Sequence, residues 1–166
     1  MSDEQGGFRR GVRLGVDVGK ARVGVARCDR DGLLATPVET VQRRGDLEPV
    51  LARIAALAAE LDAIELVVGL PLALSGRDTP STGDARMVAD RLAEGPVPVR
   101  LVDERLTTVS AQSALHASGR NTRGSRNVID QVAAVILLQH ALDAERARGE
   151  APGALLEPKR KRTGGP

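Results

Sequence analysis

The sequence predicts an α/β protein: a mixed five-stranded sheet, an antiparallel meander followed by parallel strands, with helices on its faces. Three observations predict it. Apolar and polar residues alternate near the N-terminus, the apolar spacing becomes helical after residue 46, and the run IELVVGLPL (64–72) is short and continuously apolar, as a strand buried on both faces is.

The elements follow in order. Val12, Leu14 and Val16 alternate with Arg13, Gly15 and Asp17, the period of a strand with two different faces. A second strand is expected over 23–28, then a turn at DRDG (29–32), then a third strand in LLATPVETV whose Pro37 suggests a sheet edge. Leu47, Val50, Leu51, Ile54, Leu57, Ala58 and Leu61 line one face of a helix with Asp46 as its expected N-cap. After the strand at 64–72, a loop rich in Gly, Ser and Thr runs to about residue 83 and a modest helix covers 84–93. VPVRLVDE (97–104) is another strand, 107–118 reads as a helix stopped by Gly119, and a deeply packed helix begins near Asn127 and runs to about Arg148. This order matches the RNase H-like arrangement. The expected organisation is a flexible N-terminus over 1–11, one domain over 12–148, and a disordered basic tail over 149–166.

Composition narrows the function classes. Apolar residues are 42% and charged residues 28%, ordinary for a folded domain, and no apolar run approaches the roughly 18 residues of a membrane span. The polar start MSDEQGGFRR lacks the apolar core of a signal peptide, so a cytoplasmic protein without membrane contact is expected. The lone Cys28 reads as a small half-buried hydrophobe. Net charge is only +2, but GRNTRGSR (119–126) and PKRKR (158–162) concentrate basic side chains that suit phosphate contacts.

Three acids stand out. Asp17 lies in an apolar strand, Glu104 at the C-terminal end of the last strand, and Asp130 in the expected first turn of the buried helix. A carboxylate flanked by Val16 and Val18 must be paired, protonated or bound to a cation. Hard divalent cations prefer carboxylate oxygen, and acids converging on one end of a sheet can clamp the oxygens of a phosphodiester, so Mg2+ or Mn2+ is the expected cofactor. Each acid alone has a plainer reading: Asp17 paired with a buried Arg, Glu104 a strand-end acid or partner of Arg105, Asp130 an acid serving the helix N-terminus. No His/Cys cluster suggests zinc, no Ser/His/Asp pattern suggests an acyl enzyme, and the spacings of GVDVGKARVG fit neither a Walker loop nor a dinucleotide fingerprint.

The blocks GVDVGKARVGVA, VVGLPL, VDERLTT and IDQVAAVILLQ, in that order, resemble the signature of the YqgF/RuvX family, RNase H-like proteins related to the RuvC Holliday junction resolvases. The resemblance implies a metal-dependent nuclease processing the 5′ end of pre-16S ribosomal RNA, with junction resolution as a homodimer the alternative, and carries over Asp17, Glu104 and Asp130 as catalytic, metal-binding acids. Two departures accompany it. Members commonly show Thr-Lys-Arg where this chain has Lys20, Ala21, Arg22. The strand ending in Gly69, Leu70 and Pro71 also lacks the second carboxylate of RuvC, which Glu104 must supply from its neighbour.

Lys20, Arg22, Arg105, Thr107, Thr108, Arg120, Arg123 and Arg126 are the expected contacts to nucleic acid, holding phosphates, since Phe8 is the only aromatic and base stacking is not available. Two other classes compete. The Asp17/Gly19 turn is similar to the first phosphate loop of sugar kinases and actin-like ATPases, which need two such domains, and a non-catalytic nucleic-acid-binding module would retain the fold without turnover.

Overall fold

A computed structural model describes residues 7–105 and 122–157, the stretch 122–129 by its backbone. The elements are β1 (Arg13–Val18), β2 (Arg22–Cys28), β3 (Ala35–Gln42), α1 (Glu48–Glu60), β4 (Glu65–Leu70), α2 (Pro80–Leu92), β5 (Val99–Asp103), α3 (Thr122–Arg148) and β6 (Ala154–Leu155). They build one sheet in the order β3-β2-β1-β4-β5-β6. The β1–β2–β3 meander is antiparallel, β1, β4 and β5 are parallel, and β6 runs antiparallel to β5. Pro37 does sit on an edge strand, β3.

Period-two alternation divides the sheet between two layers. Leu14, Val16, Val23, Val25, Leu66, Val68 and Val99 face α1 and α2, meeting Val50, Ile54 and Leu57 of α1 and Val88 and Ala89 of α2. Ala26, Cys28, Val67 and Val102 face the other way, against Ala134, Leu137, Leu138 and Leu142 of α3. The expected spacing of α1 holds, with Asp46 Oδ1 accepting from Glu48 N at 3.0 Å although Leu47 is the N-cap. Cys28 is fully buried, its Sγ accepting from Arg13 N at 3.2 Å.

Four expectations are corrected. The sheet has six strands, because Ala154–Leu155, inside the segment expected to be a disordered tail, pairs with Arg100 and Leu101. The expected flexible N-terminus is anchored from Phe8: the Phe8 ring stacks beneath the guanidinium groups of Arg13 and Arg146, and Arg9 pairs with Glu65 and Glu145 at 3.1 and 2.7 Å. Arg13 is nearly inaccessible and pairs with Glu145 at 2.9 Å, while Arg100 pairs with Glu65 at 3.1 Å. Polar composition hid this because ion pairs and cation–π contacts tie the segment down, with Phe8 packed against the α3-side core. The second helix begins at Pro80 instead of 84, capped by Thr79, whose Oγ1 accepts from Thr82 N while Thr82 Oγ1 accepts from Thr79 N. Finally, α3 starts at Thr122, so Arg123 and Arg126 lie on a helix rather than a loop, and Asp130 sits two turns in rather than in the first turn. The helix expected over 107–118 lies outside the described residues.

Candidate active site

The α3 face of the sheet has a gradient along its strands. Arg13, Glu65 and Arg100 lie at one end, the apolar residues in the middle, and Asp17, Gly24, Gly69 and Glu104 at the other. Asp17 is on this face because its neighbours Val16 and Val18 point to the opposite layer. The alternation therefore carries a half-buried carboxylate to the mouth between sheet and helix.

Glycines let α3 come close. Gly24 lies directly across from Asp17, and a Cβ there would stand 2.1 Å from Asp130 O; at Gly15 it would stand 2.8 Å from Ala134 O. With no side chains in this lane, the helix backbone rests on β1 and β2 and brings Asp130 beside Asp17. Gly69 performs a related service on β4, where a Cβ would lie 1.9 Å from Glu104 Oε2. The carboxyl from the end of β5 fills the space above β4, which answers the missing strand-end acid.

Asp17 and Glu104 are hydrogen-bonded to each other. Burial is the main cause raising both: Asp17 to about 6, with the charge of Asp130 adding to the rise, and Glu104 to about 8, with the charge of Asp17 adding to it. The pair thus holds a proton at neutral pH. Burial also raises Asp130, against the opposing pull of Arg22, whose Nε reaches Asp130 Oδ2 at 3.0 Å. Among the described residues no three His, Cys, Asp or Glu side chains form a ready-made metal cage. Asp17 and Glu104 are together, and Asp130 is engaged by Arg22.

The expected phosphate contacts divide. Arg22 is at the acids; Lys20 is exposed on the same turn, with its charge felt by Asp84 of α2. Arg105 is committed to Asp103, at 2.6 Å, and donates to Leu74 O at 3.3 Å, so its partner is not Glu104. Thr107, Thr108 and Arg120 lie outside the described residues, as do the side chains of Arg123 and Arg126. Gly24 and Gly69, which shape the site, were not among the expected residues. The run of Gly through GVDVGKARVG was the available signal for Gly24.

Known proteins resemble this chain along most of its length. The family described as "RuvX: Holliday junction resolvase" matches residues 11–144. A protein of Clavibacter michiganensis subsp. michiganensis (strain NCPPB 382), named "Putative pre-16S rRNA nuclease", is 64% identical over 150 residues, 90% of this chain and 93% of its own. A Streptomyces coelicolor protein of the same name is 55% identical over 152 residues, 90% of either chain. In fold, the chain is similar to Thermus thermophilus RuvC in complex with Holliday junction substrate, with a TM-score of 0.56 and 18% identity over 86% of this chain and 99% of that one.

Proposed function

The chain belongs to the RuvX family, and from that premise we propose that it is a divalent-metal-dependent endonuclease acting at Asp17, Glu104 and Asp130. The observation that carries the reading is the hydrogen-bonded pair of Asp17 and Glu104 with Asp130 beside it. Two carboxyls raised by burial, Asp17 further by the charge of Asp130 and Glu104 further by Asp17, are an electrostatic deficit that a cation would relieve, and an all-carboxylate donor set suits Mg2+ or Mn2+. Asp17, Glu104 and Asp130 would hold it, and the ion would supply charge neutralisation at the phosphate and a more acidic water.

The chain's own groups do the rest. Asp17 and Glu104 would give up their shared proton to solvent in order to hold a cation. Arg22 is placed to exchange its carboxylate partner for a phosphate oxygen, and Lys20 adds charge on the same turn. Arg120, Arg123, Arg126, Arg105, Thr107 and Thr108 complete the proposed phosphate contacts, which set register rather than read bases.

The substrate proposed is the pre-16S ribosomal RNA named for the relatives, which implies a cytoplasmic role; the family description favours a four-way DNA junction as the second reading. Resolving a junction needs two sites related by two-fold symmetry, so that reading requires a homodimer. The test is cleavage of a 16S precursor and a four-way junction side by side, with Mg2+ or with EDTA, and mass measured in solution. Mg2+-dependent cleavage of the precursor at its 5′ end is expected. Junction cleavage by a dimer alone would move the assignment to the second reading, and binding without turnover of either would make the chain a non-catalytic module.

A further inference from the structure

The turn between β1 and β2 carries both basic side chains that follow Asp17, and a residue outside it holds its shape. Gly19 N donates to Arg22 O at 2.9 Å and closes the turn. Arg43, just past the end of β3, donates its backbone N to Ala21 O at 2.9 Å and its Nη1 to Gly19 O at 3.0 Å. The same guanidinium forms a two-pronged ion pair with Asp84 of α2, at 2.6 and 2.8 Å. Both side chains are sheltered, 15% and 24% exposed. The start of α2 is tied in turn to the segment after β4, through the bond from Thr82 Oγ1 to Pro71 O.

A staple between β3 and α2 needs only the ion pair. The extra bond to Gly19 O concerns the turn, which begins two residues after Asp17 and ends at Arg22, the partner of Asp130. We propose that Arg43 is a positioning residue for the nuclease, fixing the Gly19–Arg22 turn so that Arg22 meets Asp130. The planar fork of Arg serves a carbonyl and a carboxylate at once, and Asp84 locks its orientation. The inference rests on the nuclease reading above. It adds a residue with no direct contact to the three acids, acting through Arg22.

The test uses the full chain and single-turnover cleavage at saturating substrate, with melting temperature measured in parallel. Arg43→Gln should slow cleavage by roughly 10- to 100-fold, the scale of a small misplacement of reacting groups. Exchanging the charges, Arg43→Asp with Asp84→Arg, should recover the melting temperature through a restored ion pair but not the rate, because the bond to Gly19 O is absent. In an Arg22→Gln background, Arg43→Gln should cost no more than about twofold further, since its effect passes through Arg22. Recovery of the rate in the exchanged protein, or losses that multiply when Arg43→Gln and Arg22→Gln are combined, would overturn the proposal. Should the exchanged protein not fold, the Arg22 cycle decides alone. A wild-type chain that cleaves neither RNA precursor nor DNA junction would instead remove the nuclease reading, and this inference with it.

Discussion

Gly69 and Glu104 occupy one volume: a Cβ on Gly69 would lie 1.9 Å from Glu104 Oε2 and 2.9 Å from its Cδ. Gly69→Ala should therefore displace the Glu104 carboxyl from Asp17 while leaving every acid in the sequence. The expected outcome is a loss of about 1–3 kcal/mol in stability from overpacking, and a fall in cleavage rate close to that of Glu104→Gln. Urea unfolding and single-turnover cleavage of both variants check it; full activity in Gly69→Ala would show that the carboxyl acts from another position.

The shared proton has a sign that can be measured. A carboxyl with a raised folded pKa favours the folded state where it is protonated, and that contribution is lost as pH rises from its ordinary value through the folded one. Without metal, Asp17 and Glu104 should thus cost stability progressively from their ordinary values of 3.8 and 4.5 through about 6 and about 8. Relative to wild type in EDTA, Asp17→Asn and Glu104→Gln should be stabilising at pH 8 and close to neutral at pH 4. Both should abolish cleavage. Urea midpoints across that range check the first claim, and a variant destabilised equally at both ends would contradict it.

Cation binding and proton release should be linked at the same pair. Mn2+ affinity should rise with pH across the range in which Asp17 and Glu104 lose their proton, then level off above it. Titration calorimetry in buffers of different ionisation enthalpy measures the released protons. Ca2+ should support substrate binding with little cleavage, because its longer bonds and looser coordination suit the in-line geometry poorly. Activity that persists in EDTA would end the metal mechanism.

At the far end of the same sheet face, Glu145 accepts from Arg9 and from the nearly inaccessible Arg13. Glu145→Ala should cost about 3–5 kcal/mol, since it leaves a buried guanidinium without its carboxylate. Glu39→Ala, which removes the partner of the largely exposed Arg53, should cost below about 1 kcal/mol. Denaturant unfolding of the two variants separates these values, and similar losses would show that burial of the cluster matters less than its geometry suggests.

Replacing Arg120, Arg123 and Arg126 together with Gln should lower the slope of log affinity against log salt by roughly 2 to 3 on duplex substrate, if each makes a phosphate contact. A salt titration of the variant against wild type gives the answer. An unchanged slope would leave Lys20 and Arg22 as the phosphate grip at the described site.

What the sequence revealed of the site followed from local period. Asp17 alternates with Val16 and Val18, so its face was legible; Glu104 follows an apolar strand, so its strand-end place was legible. The contact of Gly69 with Glu104 was not, because it depends on how β4 and β5 pair, and parallel register is set by packing between segments distant in the chain. The start of α3 was misplaced because Asn127 follows Gly, Ser and Arg residues that read as loop, yet the helix continues back to Thr122. A two-residue strand such as β6 leaves no periodic signal at all, and its surroundings of Gly and Pro suggest the opposite of order.

That short strand covers one edge of the sheet. Ala154 and Leu155 pair with Leu101 and Arg100, and Leu156 N donates to Val99 O, so most of β5 is already occupied. At the other rim, Pro37 removes a donor from β3 and the register shift opposite Val25 and Ala26 breaks its flatness. Among the described residues neither rim presents a long, regular row of unpaired amides, which is the template that edge-to-edge aggregation requires. Removing residues 151–157 would uncover β5, and the predicted cost is not only a looser sheet but self-association through the strand that leads to Glu104.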